Sequence, residues 1–161
     1  GSCPIESAIL ADEKNTGVSI IKMDKEMDHG PIIAIEKVIC EPWPMRRDIL
    51  GTKLVEHGAV LLAKILPDWI NGKIKEIPQN DSEASYTKKI EKNDGLIDLK
   101  DDPYKNYLKF QAYHGWPSSY FFKKINGKDI RHKITQASFI NGVFKIEKVI
   151  PEGKKEIDYI E

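Results

Sequence analysis

The alternation of apolar and polar positions changes period several times along the chain. Ile5, Ala8, Ile9 and Leu10 recur at helical spacing before the polar turn Asp12-Glu13-Lys14-Asn15, with Thr16-Gly17 as a breaker; a short helix over residues 5–13 is predicted. Two runs rich in β-branched residues follow, 18–23 (Val-Ser-Ile-Ile-Lys-Met) and 32–39 (Ile-Ile-Ala-Ile-Glu-Lys-Val-Ile), and predict strands. Gly30-Pro31 marks the entry to the second, because proline has no N–H for a ladder and restricts its predecessor. From Arg46 to Asn71 the period is helical: Leu50, Leu54, Leu61, Ile65 and Trp69 recur at multiples of about one turn, and Ile49, Val55, Leu62, Leu66 and Ile70 widen the stripe. Asn71-Gly72 ends that helix.

Residues 73–85 are polar and contain Pro78, as a linker would. The expected organisation is a first domain over 1–72, a linker over 73–90 and a second domain over 91–161. In the second, residues 103–113 predict a helix opened by Pro103, with Tyr104, Tyr107, Leu108 and Phe110 on its apolar face and Gly115-Trp116-Pro117 as its stop. Trp116 is read as a wedge between this helix and the sheet, with a base-stacking platform as the alternative. Three strand-like runs, 119–125, 130–137 and 143–150, are separated by Asn126-Gly127-Lys128-Asp129 and Asn141-Gly142, strong hairpin signals. The second module is therefore expected to be a small antiparallel sheet or partial barrel, and the chain as a whole to be α/β.

Composition fits an ordinary folded protein: 161 residues, 40% hydrophobic, 31% charged, 25 Lys+Arg against 25 Asp+Glu. No apolar run approaches the ~18 residues of a membrane span, and no basic segment precedes an apolar stretch at the amino end, so neither membrane insertion nor secretion is expected and the cytoplasm is the expected compartment. Cys3 and Cys40 lie in unrelated contexts and read as plain thiols. The four histidines lack ligand spacing, so no metal is expected, and phosphate-loop, dinucleotide and nucleophile-elbow motifs are missing. The zero net charge hides an asymmetry. Residues 1–85 carry 10 basic and 14 acidic side chains, residues 86–161 carry 15 and 11, so the second half is the better partner for a polyanion.

The most informative stretch is Thr16 to Ile33, in which a strand feeds the acidic loop Met23-Asp24-Lys25-Glu26-Met27-Asp28-His29-Gly30-Pro31 and a second strand leaves. Carboxylates and main-chain amides are thereby gathered at a strand end, where α/β domains commonly keep their chemistry. Preceded by Pro4-Ile5 and Ala8-Ile9-Leu10, this stretch resembles the folate-dependent formyltransferase family, whose catalytic aspartate sits in a Met-Asp-x-x-x-Asp-x-Gly loop. The resemblance implies that Asp28 is that aspartate and that Asp24, Lys25, Glu26 and Met27 line the folate pocket through their main chain.

The downstream half narrows the resemblance. Tyr86-x-x-Lys89-Ile90, Ile97-Asp98, Tyr113-His114-Gly115-Trp116-Pro117 and Val149 to Lys155 are similar to the carboxy-terminal part of the branch that formylates methionyl-tRNA. What this implies is the second half of a Rossmann-like formyltransferase domain followed by an OB-like module. It further implies formyl transfer from 10-formyltetrahydrofolate to methionyl-initiator tRNA at translation initiation, and a monomeric enzyme. Lys123, Lys124, Lys128, Arg131 and Lys133 are the expected tRNA-binding residues. The family's catalytic Asn-x-His, which precedes the aspartate loop, does not occur in this sequence, so these residues alone are expected to be nearly inactive. The alternatives are a formyltransferase acting on a sugar nucleotide or other small amine, and a non-catalytic RNA-binding protein that keeps the fold.

Overall fold

The computed structural model describes residues 2–160. Helix α1 (Pro4–Leu10) is followed by strands β1 (Gly17–Ile21) and β2 (Ile32–Lys37), the long helix α2 (Arg47–Ile70), helix α3 (Pro103–Ala112) and strands β3 (Tyr120–Ile125), β4 (Lys128–Ile140), β5 (Val143–Pro151) and β6 (Ile157–Asp158). Two short 3-10 turns, Asp81–Glu83 and Lys92–Gly95, lie between α2 and α3. β1 and β2 form an antiparallel pair, and β3 to β6 form a four-stranded antiparallel sheet in sequence order. Residues of α/β character thus build two antiparallel sheets with helices packed beside them. No described helix is long and apolar enough to cross a membrane.

α2 divides its wide apolar stripe into two. Leu50 and Leu61 are buried and Leu54, Ile65 and Trp69 half-buried, whereas Ile49, Val55, Leu62, Leu66 and Ile70 are exposed. The once-per-turn positions predicted as the core are the ones that pack, against α1 at the start of the helix and against β1 and β2 further along it. Gly58 sits where Val18 of β1 approaches.

The stretch read as a linker is not loose. Ile77 exchanges two main-chain hydrogen bonds with Ile32 of β2, at 2.8 and 2.9 Å. Nor do the apolar side chains respect the break: Ile9, Val38, Cys40 and Leu50 share one buried cluster with Ile90, Leu108, Ala112 and Tyr113. A second cluster, Ile97, Phe110, Phe121, Ile134, Ile146 and Val149, lies between α3 and the four-stranded sheet. α3 therefore faces both, since Leu108 and Ala112, one turn apart, share one side and Phe110, two residues from each, lies on the other.

β4 runs further in both directions than the predicted 130–137. It takes in Lys128 because the turn closes at Asn126-Gly127, and it continues to Ile140 because Ile140 pairs with Val143 across Asn141-Gly142. Asn126 and Asn141 adopt φ of 50° and 52° and the glycines after them 79° and 81°, the two positive angles of a tight hairpin turn. Irregular register between Ile134 and Ala137 bends the strand. Trp116 is 54% exposed, so it is not the wedge expected of it; the helix end is covered instead by Pro117, Ser118 and Ser119, all buried.

Candidate active-site loop

The loop between β1 and β2 leaves and returns through a narrow neck. The Lys22 N–H donates to the Pro31 carbonyl at 2.9 Å, and Gly30 is buried against Lys22, where a Cβ would run into the Lys22 carbonyl oxygen. Glycine at 30 is therefore a steric requirement of the neck.

Inside the neck, Asp24 turns the loop on itself. Its Oδ1 accepts from the Glu26 N–H at 2.9 Å, an Asx turn, and its Oδ2 lies 2.7 Å from His29 Nδ1. The other ring nitrogen of His29 lies 3.2 Å from Asp81 Oδ1. Held between two carboxylates, His29 is raised above the usual imidazole range, first by its hydrogen bond to Asp24 and then by the charge of Asp81. Asp24 is lowered by the same bond, with help from the Glu26 N–H. Sequence spacing hides this arrangement, because Asp81 lies 52 residues beyond His29.

Asp28 occupies the far end of the loop with φ of 56°. The left-handed region is unfavourable for most L-residues by roughly 1–2 kcal/mol, and aspartate tolerates it better than most. The carbonyls of Asp28 and Gly30 both accept from Gln79 Nε2, at 2.8 and 2.7 Å. Lys25 and Glu26 are exposed, as are Met23 and Met27. Between the start of the loop and α2 lies an apolar groove of about 160 Å³, walled by Ile21, Met23, Ile33, Leu62, Leu66 and Trp69.

The five basic residues expected to meet RNA all stand on β3 and β4, but not on one face. Directly paired residues share a face. Arg131 opposite Phe122, Lys133 opposite Tyr120 and Lys124 opposite Asp129 form one set; Lys123 opposite Ile130 and Lys128 opposite Ile125 form the other. Two of them are engaged with aromatic rings, Arg131 over Tyr120 at 4.1 Å and Lys123 over Tyr159 at 5.0 Å.

No protein-family model matches the chain. A curated methionyl-tRNA formyltransferase of Dictyoglomus turgidum is 35% identical over the whole chain, which covers 58% of that protein. Among solved structures, a methionyl-tRNA formyltransferase from Clostridium thermocellum superimposes with a TM-score of 0.66 over 94% of this chain and 63% of its own, at 19% identity. HypX from Aquifex aeolicus in complex with tetrahydrofolic acid superimposes with a TM-score of 0.69 over 97% of this chain and 31% of its own, at 17% identity, which again reports fold. The chain spans somewhat more than half the length of the curated relatives it matches end to end. The match to these curated methionyl-tRNA formyltransferases takes in the whole of this chain, the Met23-to-Gly30 loop included.

Proposed function

We propose that the chain carries the carboxy-terminal portion of an enzyme that transfers a formyl group from 10-formyltetrahydrofolate to the amino group of methionyl-initiator tRNA in the cytoplasm. In this reading residues 1–72 are the second half of a Rossmann-like catalytic domain, 73–90 the connection, and 91–161 an OB-like module. The observation that carries it is the 35% identity across the whole chain, with Asp28 held in a loop closed by a narrow neck.

Formyl transfer needs three things: polarisation of the formyl oxygen, removal of a proton from the attacking amine, and a proton for the departing nitrogen. Asp28 is suited to the proton steps, as a carboxylate on an exposed turn whose backbone is fixed. Polarisation is the part of the family's Asn-x-His, a motif that does not occur in this sequence. When bound, the folate supplies the one-carbon unit at the formyl oxidation level. The residues present fit part of it: Lys25 to Met27 are exposed beside an apolar groove, with the Glu26 N–H turned inward onto Asp24 and the rest of this stretch left to meet a flat heterocycle. That groove is below the ~300–1,000 Å³ of typical small-molecule pockets, so it holds a ring and leaves the rest to other parts of the enzyme. Lys124, Arg131 and Lys133 on one hairpin face, with Lys123 and Lys128 on the other, supply phosphate contacts for tRNA.

The test is formyl transfer by this chain joined to the part of the Dictyoglomus turgidum relative that the match leaves uncovered. Turnover on methionyl-tRNA is expected, falling by about 100-fold or more in Asp28→Asn with little change in tRNA affinity. Turnover on a small amine but not on methionyl-tRNA would replace the substrate. Retained turnover in Asp28→Asn would remove the aspartate from the mechanism.

A further inference from the structure

Gln79 reaches the loop from a segment 49 to 51 residues away, and its placement has no role in the chemistry assigned so far. Its side-chain amide donates both hydrogens, one to the Asp28 carbonyl at 2.8 Å and one to the Gly30 carbonyl at 2.7 Å. These two carbonyls bracket the His29 peptide unit, so one planar NH₂ group fixes the separation of the residues on either side. Asp28 needs such a restraint because its φ of 56° lies in a region that L-residues leave readily. The donor is itself anchored, by the paired main-chain bonds of Ile77 to Ile32 two residues earlier and by the contact of Asp81 with His29 two residues later.

We propose that Gln79 is a positioning residue for Asp28, holding the aspartate's backbone in its left-handed conformation and so aiming the carboxylate. The proposal rests on the reading of Asp28 as the catalytic carboxylate, and it adds a residue that touches neither substrate nor reacting atoms. Glutamine suits the task for a chemical reason. Two carbonyl oxygens close together need two donors on one atom; a carboxylate at the same place would repel both, and a thioether would offer neither donor.

Two variants separate the clamp from plain packing. Gln79→Met keeps the volume and loses both donors. Gln79→Glu keeps the shape, repels the carbonyls when ionised and donates one hydrogen when protonated. Each is made in the chain itself, for amide hydrogen exchange over residues 26–30, and in the joined transferase described above, for kinetics. Wild type is measured alongside at every pH, because Lys22, Asp24, Glu26, Asp28, His29, Glu76 and Asp81 also stand around the loop.

The expected result is faster loop exchange in both variants at pH 8, by about tenfold, and a kcat about tenfold lower with KM for methionyl-tRNA within twofold. Between pH 8 and pH 5, Gln79→Glu recovers at least half of the lost protection relative to wild type and Gln79→Met recovers none. Exchange in Gln79→Met equal to wild type would overturn the clamp whatever the kinetics. Altered exchange with an unchanged kcat would overturn its link to Asp28. A joined transferase that is inactive even as wild type would count against the formyltransferase reading, and with it the link to Asp28, while the exchange data still decide whether the clamp exists.

Discussion

The Tyr104 hydroxyl donates to Asp12 Oδ1 at 2.9 Å, joining α3 to the turn after α1 across 92 residues of chain. The same oxygen accepts from Trp43 Nε1 at 2.6 Å. One carboxylate oxygen thus satisfies two partly buried donors from two other parts of the chain. Asp12→Ala strands both, which is expected to cost about 1–3 kcal/mol for the group left worst off, read as a lower midpoint in thermal or urea unfolding. A smaller loss in the Tyr104→Phe variant is expected, since that change removes a donor together with its need for an acceptor.

Alkali tests the same contact. Burial first, then the bond to Asp12, push the Tyr104 hydroxyl up to about 12, and burial pushes Tyr113 to about 12 as well. A phenol whose value is raised on folding contributes stability that is intact below its usual value of 10.0 and is lost as pH rises through the raised one. Ultraviolet titration is expected to find two late phenols in the folded protein, and stability is expected to fall between pH 10 and 12. A titration with every tyrosine near 10 would refute this.

Gly30→Ala is expected to destabilise the fold by about 1–3 kcal/mol, because the added methyl group meets the Lys22 carbonyl, which belongs to backbone and has little freedom to move. Calorimetry of the variant reads the effect. A Tm within a degree of wild type would mean that the neck opens without penalty.

The His29 clasp has a window of pH. Asp24 is lowered, so its contribution is present above the usual 3.8 and is lost as pH falls through the depressed value; His29 is raised, so its contribution is present below the usual 6.5 and is lost as pH rises through the elevated one. The clasp is therefore complete in mildly acidic solution and weakens on the alkaline side of 6.5. Nuclear magnetic resonance is expected to place the His29 midpoint above 6.5, with loop amides from Glu26 to Gly30 shifting at the same pH. His29→Gln should abolish that transition.

RNA binding by the β3–β4 hairpin is expected to weaken steeply with salt, because neutralised phosphates release counterions. Each lysine that contacts a phosphate adds about 0.7–0.9 to the slope of log affinity against log salt, depending on whether the contacted strand is single or double. Lys124→Ala and Lys133→Ala, on the face shared with Arg131, should each lower the slope by about that amount in filter binding or fluorescence titration. A slope unchanged by both would move the interface elsewhere.

Local chemistry made much of this legible in the sequence. α2, the hairpin turns at Asn126-Gly127 and Asn141-Gly142, and the loop around Asp28 are each specified by neighbours a few residues apart. What local pattern could not supply are the partners brought by the return of the chain. The polar stretch around Gln79 reads as a linker because its ties to the loop are single side-chain and main-chain bonds rather than an apolar stripe. The exposed half of the α2 stripe and the exposure of Trp116 were equally hidden, since an apolar residue says only that it can be buried, not that an element lies there to bury it.

The bonds between Gln79 and the loop also set an order of events in folding. Main-chain contacts inside the neck span few residues and can close early, whereas the Gln79 bonds require α2 to form and the chain to come back, some 50 residues later. The left-handed turn at Asp28 is then among the last details to be fixed. During synthesis on the ribosome, the two bonds from Gln79 reach the loop only after residue 79 has left the exit tunnel, so a shorter nascent chain holds the Asp28 turn without them.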